Sequence, residues 1–99
     1  MNLSGRDTGP VSPVRVMVVD DHPIWRDAVA RDLVAAGYDV TAVIGEGAQA
    51  VRVAPAARPD VVVLDLQLPD RSGAEVARAL AGTKHPPYVL VLSDRKSVV

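Results

Sequence analysis

The chain has 99 residues, with 11 Lys or Arg against 12 Asp or Glu for a formal net charge of -1, and it contains neither Cys nor Phe. That length allows one small domain. The near-neutral charge gives no electrostatic basis for gripping nucleic acid or an anionic membrane directly, and the missing Cys excludes a disulfide framework or a thiolate metal site.

Residues 1–13, rich in Gly, Ser, Pro and polar groups, read as a disordered leader that cannot bury enough surface to order itself. They lack the apolar stretch of a signal peptide. No later run approaches the roughly 20 apolar residues of a spanning helix, so no membrane partner and a cytoplasmic location are expected. Residues 14–99 read as the domain, whose core must be aliphatic.

The first strand covers 14–19 and closes abruptly on Asp20 and Asp21. A run that is apolar at every residue, rather than at alternate ones, describes a strand covered on both faces, as in a parallel α/β sheet. A helix follows over about 23–36, with Pro23 in the first turn and Gly37 just past the last. Trp25, Val29, Leu33 and Ala36 form its apolar stripe, which assigns Trp25 to packing. A second strand over 38–44 leads through Gly45-Glu46-Gly47 to a second helix near 48–57. Pro55 is expected to kink or stop that helix, because it removes a backbone hydrogen bond and clashes with the preceding turn. Arg58-Pro59-Asp60 then turns the chain into a third strand, 61–64, which ends on Asp65. A loop over 68–73, a helix over 74–80 ended by Gly82, and a fourth strand over 88–92 closing at Ser93 complete the alternation. Such a β-α-β rhythm specifies a parallel sheet with crossover helices.

If the first and third strands are neighbours, Asp20, Asp21 and Asp65 converge outside the carboxyl ends of the strands, where open α/β sheets bind ligands. Three carboxylates there make a cation site and supply a nucleophile. A single Asp between strand and helix is often only a cap, but the third acid at the parallel strand end favours a site. His22, beside Pro23 at a helix start, reads as a capping or surface residue.

Asp-Asp-His-Pro at 20–23 after an apolar strand, Arg58-Pro59-Asp60 before Val-Val-Val-Leu-Asp, and Asp65-Leu66-Gln67-Leu68-Pro69 leading to Gly73 stand together at one family's spacing. The chain resembles the receiver domain of bacterial two-component response regulators, and most resembles the NarL/FixJ subfamily, whose members join it to a LuxR-type DNA-binding domain. The resemblance implies a flavodoxin-like three-layer fold with strand order 2-1-3-4. It also implies Mg2+ ligated by Asp21, Asp65 and the backbone carbonyl of Gln67, with Asp20 acting mainly through water. Asp65 becomes the phosphoacceptor for a histidine kinase, and Ser93 the hydroxyl that switches on phosphorylation. The chemistry is coherent, since a carboxylate reaches a phosphoryl group only when their mutual repulsion is partly neutralised, and magnesium prefers such hard oxygen ligands.

Two departures qualify the likeness. Asp94 stands where the family carries a small uncharged residue, and the family's fifth strand, with its closing Lys, and its last two helices have no counterpart in residues 14–99. Lys96, in the loop after the fourth strand, is no substitute. The expectation is a C-terminally incomplete receiver, ending inside the fourth helix, with the fourth strand an open edge that a second copy or another partner could complete. The alternative is a receiver-like interaction module, or a non-functional truncated regulator, that does not signal by phosphate. A hydrolase with an aspartyl nucleophile is disfavoured, because Gln67 stands where a second acid would be needed.

Overall fold

The computed structural model describes residues 12–93, 97 and 98, with the backbone alone at 93, 97 and 98. Of the expected leader only Ser12 and Pro13 fall within this range, and both are exposed. The elements run β1 (Arg15–Val19), α1 (Pro23–Ala35), β2 (Asp39–Ile44), α2 (Gly47–Ala57), β3 (Val61–Asp65), α3 (Gly73–Ala81), β4 (Tyr88–Ser93) and β5 (Ser97–Val98). The sheet order is β2-β1-β3-β4-β5. The first four strands are parallel, in the expected 2-1-3-4 order, and the chain reverses side across β1.

Period-two alternation within the uniformly apolar strands divides the core between two faces. Met17, Val19, Val62 and Leu64 join Ala50 and Ala54 of α2 and Val76 and Leu80 of α3 in one cluster. Val16, Val18 and Val63 point the other way, against Val29 and Leu33 of α1. The second face is thinner. No residue of α1 is fully buried; Trp25, Val29 and Leu33 are half-buried, and Ala36 of the expected stripe lies outside the helix and exposed. Ile24 keeps 88% of its surface in solvent.

The second helix ends at Ala57, the expected bound, with Pro55 inside its last turn. Ala50 and Ala54 are buried against the sheet, and Arg58 closes the helix in the left-handed conformation (φ 49°) with its N–H on the Ala54 carbonyl at 2.8 Å. That packing and C-cap offset the bond Pro55 cannot make. One expectation is corrected at the far end, where residues 97 and 98 are not helical: they pair antiparallel with Leu92 and Ser93. A strand edge presents unmet N–H and C=O groups, and this short pairing engages those at the end of β4.

At the amino ends of the strands, Asp60 ties three of them together. Its carboxylate accepts the Arg15 N–H at 2.9 Å, its N–H donates to the Arg15 carbonyl, and its own carbonyl accepts the Tyr88 N–H. This gives Arg58-Pro59-Asp60 a structural role, holding β1, β3 and β4 in register so that their carboxyl ends meet.

Candidate metal centre

The carboxyl ends of β1 and β3 are adjacent, with Val19 opposite Leu64. One ligand atom from each of Asp20, Asp21, His22 and Asp65 lies within 4.8 Å of every other. Asp20 and Asp65 are each only 3% exposed, whereas the Asp21 side chain is 32% exposed. Asp20 and Asp65 lie just past runs of buried strand residues, so the apolar patterning that builds the sheet also delivers the two carboxylates to a nearly dry position.

Backbone amides orient both. The His22 N–H donates to Asp20 Oδ1 at 2.8 Å and the Gln67 N–H to Asp65 Oδ1 at 3.1 Å. Each is a bond from two residues further on, the local turn that Asp side chains favour. The Asp20 N–H donates to the Ile44 carbonyl at 3.0 Å, which joins the end of β2 to the cluster.

His22 is exposed, as expected of a capping or surface residue, but its imidazole also joins the cluster. It is the N-cap of α1, yet its side chain makes no capping bond. Instead Nδ1 lies 2.7 Å from Asp21 Oδ1 and 3.3 Å from Asp20 Oδ1. A protonated imidazole there places a positive charge among the acids. The available signal was its position directly after two acids at a strand-to-helix turn, where a side chain that does not cap must fold back or enter solvent.

The loop from Gln67 to Ser72 starts at the cluster, with the Gln67 N–H on Asp65. It is closed at its base by the Gln67–Ser72 bridge and by the Gly73 N–H on the Leu66 carbonyl at 2.7 Å. Gly73 allows this closeness, because a Cβ there would lie 2.7 Å from the Asp65 carbonyl oxygen and 2.9 Å from the Leu66 Cα. Ser72 and Glu75 form a reciprocal capping box that starts α3. Ser93 ends β4 immediately after Leu92, which is opposite Asp65; the Ser93 side chain, Asp94 and Lys96 lie outside the described residues. The carboxylates of Asp20, Asp21 and Asp65 are hard oxygen donors of the kind that suits a divalent cation.

A cavity of about 700 Å3 lies at the opposite end of the sheet, lined by residues including Arg15, Arg58, Asp60, Lys84 and Tyr88. The carboxyl end of α2 and the segment just after α3 face it.

The response regulator receiver domain family matches residues 16–99. The chain belongs to that family. This receiver is 41% identical over 89 residues to the probable transcriptional regulatory protein NarL of Mycobacterium tuberculosis, covering 87% of this chain and 41% of that protein. It is 42% identical over 99 residues to a protein-glutamate methylesterase/protein-glutamine glutaminase of Anaeromyxobacter dehalogenans, covering 98% of this chain and 28% of that one. Among solved structures, the signal receiver domain of NarL from M. tuberculosis superposes with a TM-score of 0.79 at 39% identity, over 84% of this chain and 68% of that one. The chemotaxis response regulator CheY4 of Vibrio cholerae does so at 0.75 and 31%, over 87% and 72%. The chain spans less than half the length of these two curated relatives. It is homologous to response regulators of two-component systems, it is a signalling domain by family, and such domains are phosphorylated by histidine kinases. No helix among the described residues is long and apolar enough to cross a membrane.

Proposed function

We propose that this receiver accepts a phosphoryl group on Asp65 from a histidine kinase, in the cytoplasm, with Mg2+ held by Asp20, Asp21, Asp65 and the backbone carbonyl of Gln67. The observation that carries this reading is the convergence of three acids from two adjacent parallel strands within 4.8 Å, two of them buried and each oriented by a backbone N–H. Asp65 is the nucleophile because it alone comes from β3, between the β1 acids and the β4 end that carries Ser93. The cation supplies charge neutralisation between carboxylate and phosphoryl oxygens.

In the transfer, a carboxylate oxygen of Asp65 forms a bond to phosphorus as the bond to the donor imidazole nitrogen breaks. The electron pair leaves on that nitrogen. The Gln67 N–H holds the carboxylate against rotation, and the 3% exposure of Asp65 limits the water that competes for phosphorus. Ser93 is assigned as the switch hydroxyl, since β4 places it one residue beyond the register partner of Asp65 and a hydroxyl reorients between hydrogen-bond partners at little cost. In a longer protein, the modified surface controls an output domain.

Incubation with a small phosphodonor such as acetyl phosphate and Mg2+ is expected to add one phosphoryl group to the wild-type chain and none to Asp65→Asn, read by intact-protein mass spectrometry. Labelling that persists in Asp65→Asn refutes the assignment. An unlabelled wild type favours an interaction module that works without phosphate.

A further inference from the structure

We infer that Asp70 is a positioning residue that couples the metal-ligating loop to the amino end of α2, so that cation affinity and the order of that helix end depend on each other. The inference rests on the magnesium reading above.

The first turn of α2 lacks its own cap. Glu46, at the N-cap, makes no side-chain capping bond, and the first turn holds no acid. A helix start leaves several backbone N–H groups unmet and carries a partial positive charge. Asp70, from the loop after β3, meets both needs: Oδ1 accepts the Gly47 N–H and Oδ2 the Ala48 N–H, each at 2.8 Å. The clamp is bidentate and joins segments 23 and 22 residues apart. Those two bonds, Ala48 first, hold the Asp70 carboxyl below the usual range, with a smaller contribution from Arg71.

The loop also presses on the helix start. A Cβ at Gly47 would lie 2.6 Å from Arg71 Cγ and 2.7 Å from Val76 Cγ2, so only glycine lets the Asp70-Arg71 tip sit this close.

These contacts close a ring around the acids. Asp20 is bonded through its N–H to Ile44, at the end of β2. Three residues on, Gly47 is bonded to Asp70, and the loop returns from Asp70 to Gln67, whose N–H holds Asp65. Without Asp70 the base of the loop, Gln67 included, stays closed by the Gln67–Ser72 bridge, but its tip is released from Gly47, and the loop that carries Gln67 and the turn that follows Ile44 are no longer cross-linked. Each ligand that must be ordered at binding lowers affinity. By linkage, whatever factor the clamp adds to cation binding, the cation adds to the clamp.

The test is Mg2+ titration calorimetry on the full chain, with amide hydrogen exchange at Gly47 and Ala48. Asp70→Ala is expected to weaken Mg2+ binding about five- to tenfold, with Asp70→Asn, which keeps one acceptor oxygen, falling between. In the wild type, saturating Mg2+ is expected to slow exchange at both amides by a similar factor. Equal Mg2+ affinity in wild type and Asp70→Asn and Asp70→Ala, or wild-type exchange indifferent to Mg2+, overturns the coupling even if the variants melt earlier, because a merely structural cap changes stability alone. Should Asp70→Ala not fold, Asp70→Asn and the wild-type exchange measurement decide the matter. A wild type that binds no Mg2+ sinks the parent reading, and the coupling with it.

Discussion

Replacing Asp20 by Asn is expected to make the chain more stable without Mg2+ and less responsive to it. Asn keeps an Oδ1 to accept the His22 N–H at 2.8 Å and has nearly the same volume, so the change is mainly one of charge. Two unit charges at 4.8 Å, the outer limit of the cluster, repel by about 3.5 kcal/mol at an effective dielectric constant near 20. Asp21 and Asp65 both lie within that limit, so their summed repulsion on Asp20 is about 7 kcal/mol, and a protonated His22 imidazole at 3.3 Å from Asp20 Oδ1 offsets about 5 kcal/mol of it, which leaves a net relief of about 1–2 kcal/mol on the same scale. For a domain of this size each kcal/mol moves Tm by roughly 4–8 °C, so Asp20→Asn should melt about 4–16 °C above wild type in chelator. In the wild type, Mg2+ at a hundred times its Kd adds about 2.7 kcal/mol by mass action on the folded state; in the variant that increment should shrink sharply. Paired thermal melts in EDTA and in excess Mg2+ measure both. An apo variant no more stable than wild type, together with an undiminished Mg2+ shift, refutes the argument that the acids are a repulsive cluster awaiting a cation.

Two further outcomes follow from the loop. Gly73→Ala puts a methyl group 2.7 Å from the Asp65 carbonyl oxygen, and overpacking of this kind costs about 1–3 kcal/mol; denaturant melts should show the loss, with phosphoryl labelling of Asp65 slowed as its backbone is displaced. Asp70 has a folded pKa below its unfolded value of about 3.9, so the native state binds fewer protons there, and the stabilisation is present above that value and lost as pH falls through the lower folded one. The stability difference between wild type and Asp70→Asn should therefore be constant above about pH 5 and close as pH falls below about 4; a difference that widens on acidification contradicts the sign.

The alternation of helices and strands was legible because it rests on short-range signals, while the order of the first four strands followed from the family resemblance. Uniformly apolar runs, Pro23, Gly37 and Gly82 mark the elements, and three acids at the ends of two such runs mark the edge that matters. What escaped the sequence was long-range. His22 reads as a cap, but its imidazole lies beside Asp21. Asp70 reads as a turn residue, and nothing local reveals that its carboxylate caps a helix more than 20 residues earlier. Residues 97 and 98 were expected within a helix and instead pair with β4, where unmet edge groups outweigh a weak local preference.

The division between legible and illegible also separates input from output. The acids lie at strand ends defined by the core itself, so any chain with this apolar pattern brings them together, and relatives as different as a regulatory protein and a methylesterase share 41% and 42% identity with this receiver. Their likeness runs over 87% and 98% of this receiver, which spans only 41% and 28% of their lengths. Surfaces that the core does not dictate are where this receiver is freest to differ from them. On the α1 side of this molecule the packing is loosest, with Ile24 88% and Val34 59% exposed and no residue of α1 fully buried. Ile24 and Val34 can change there without touching the buried sheet residues, whereas Arg26 on the same helix donates to the Asp20 carbonyl at 3.3 Å and is tied to the acid cluster.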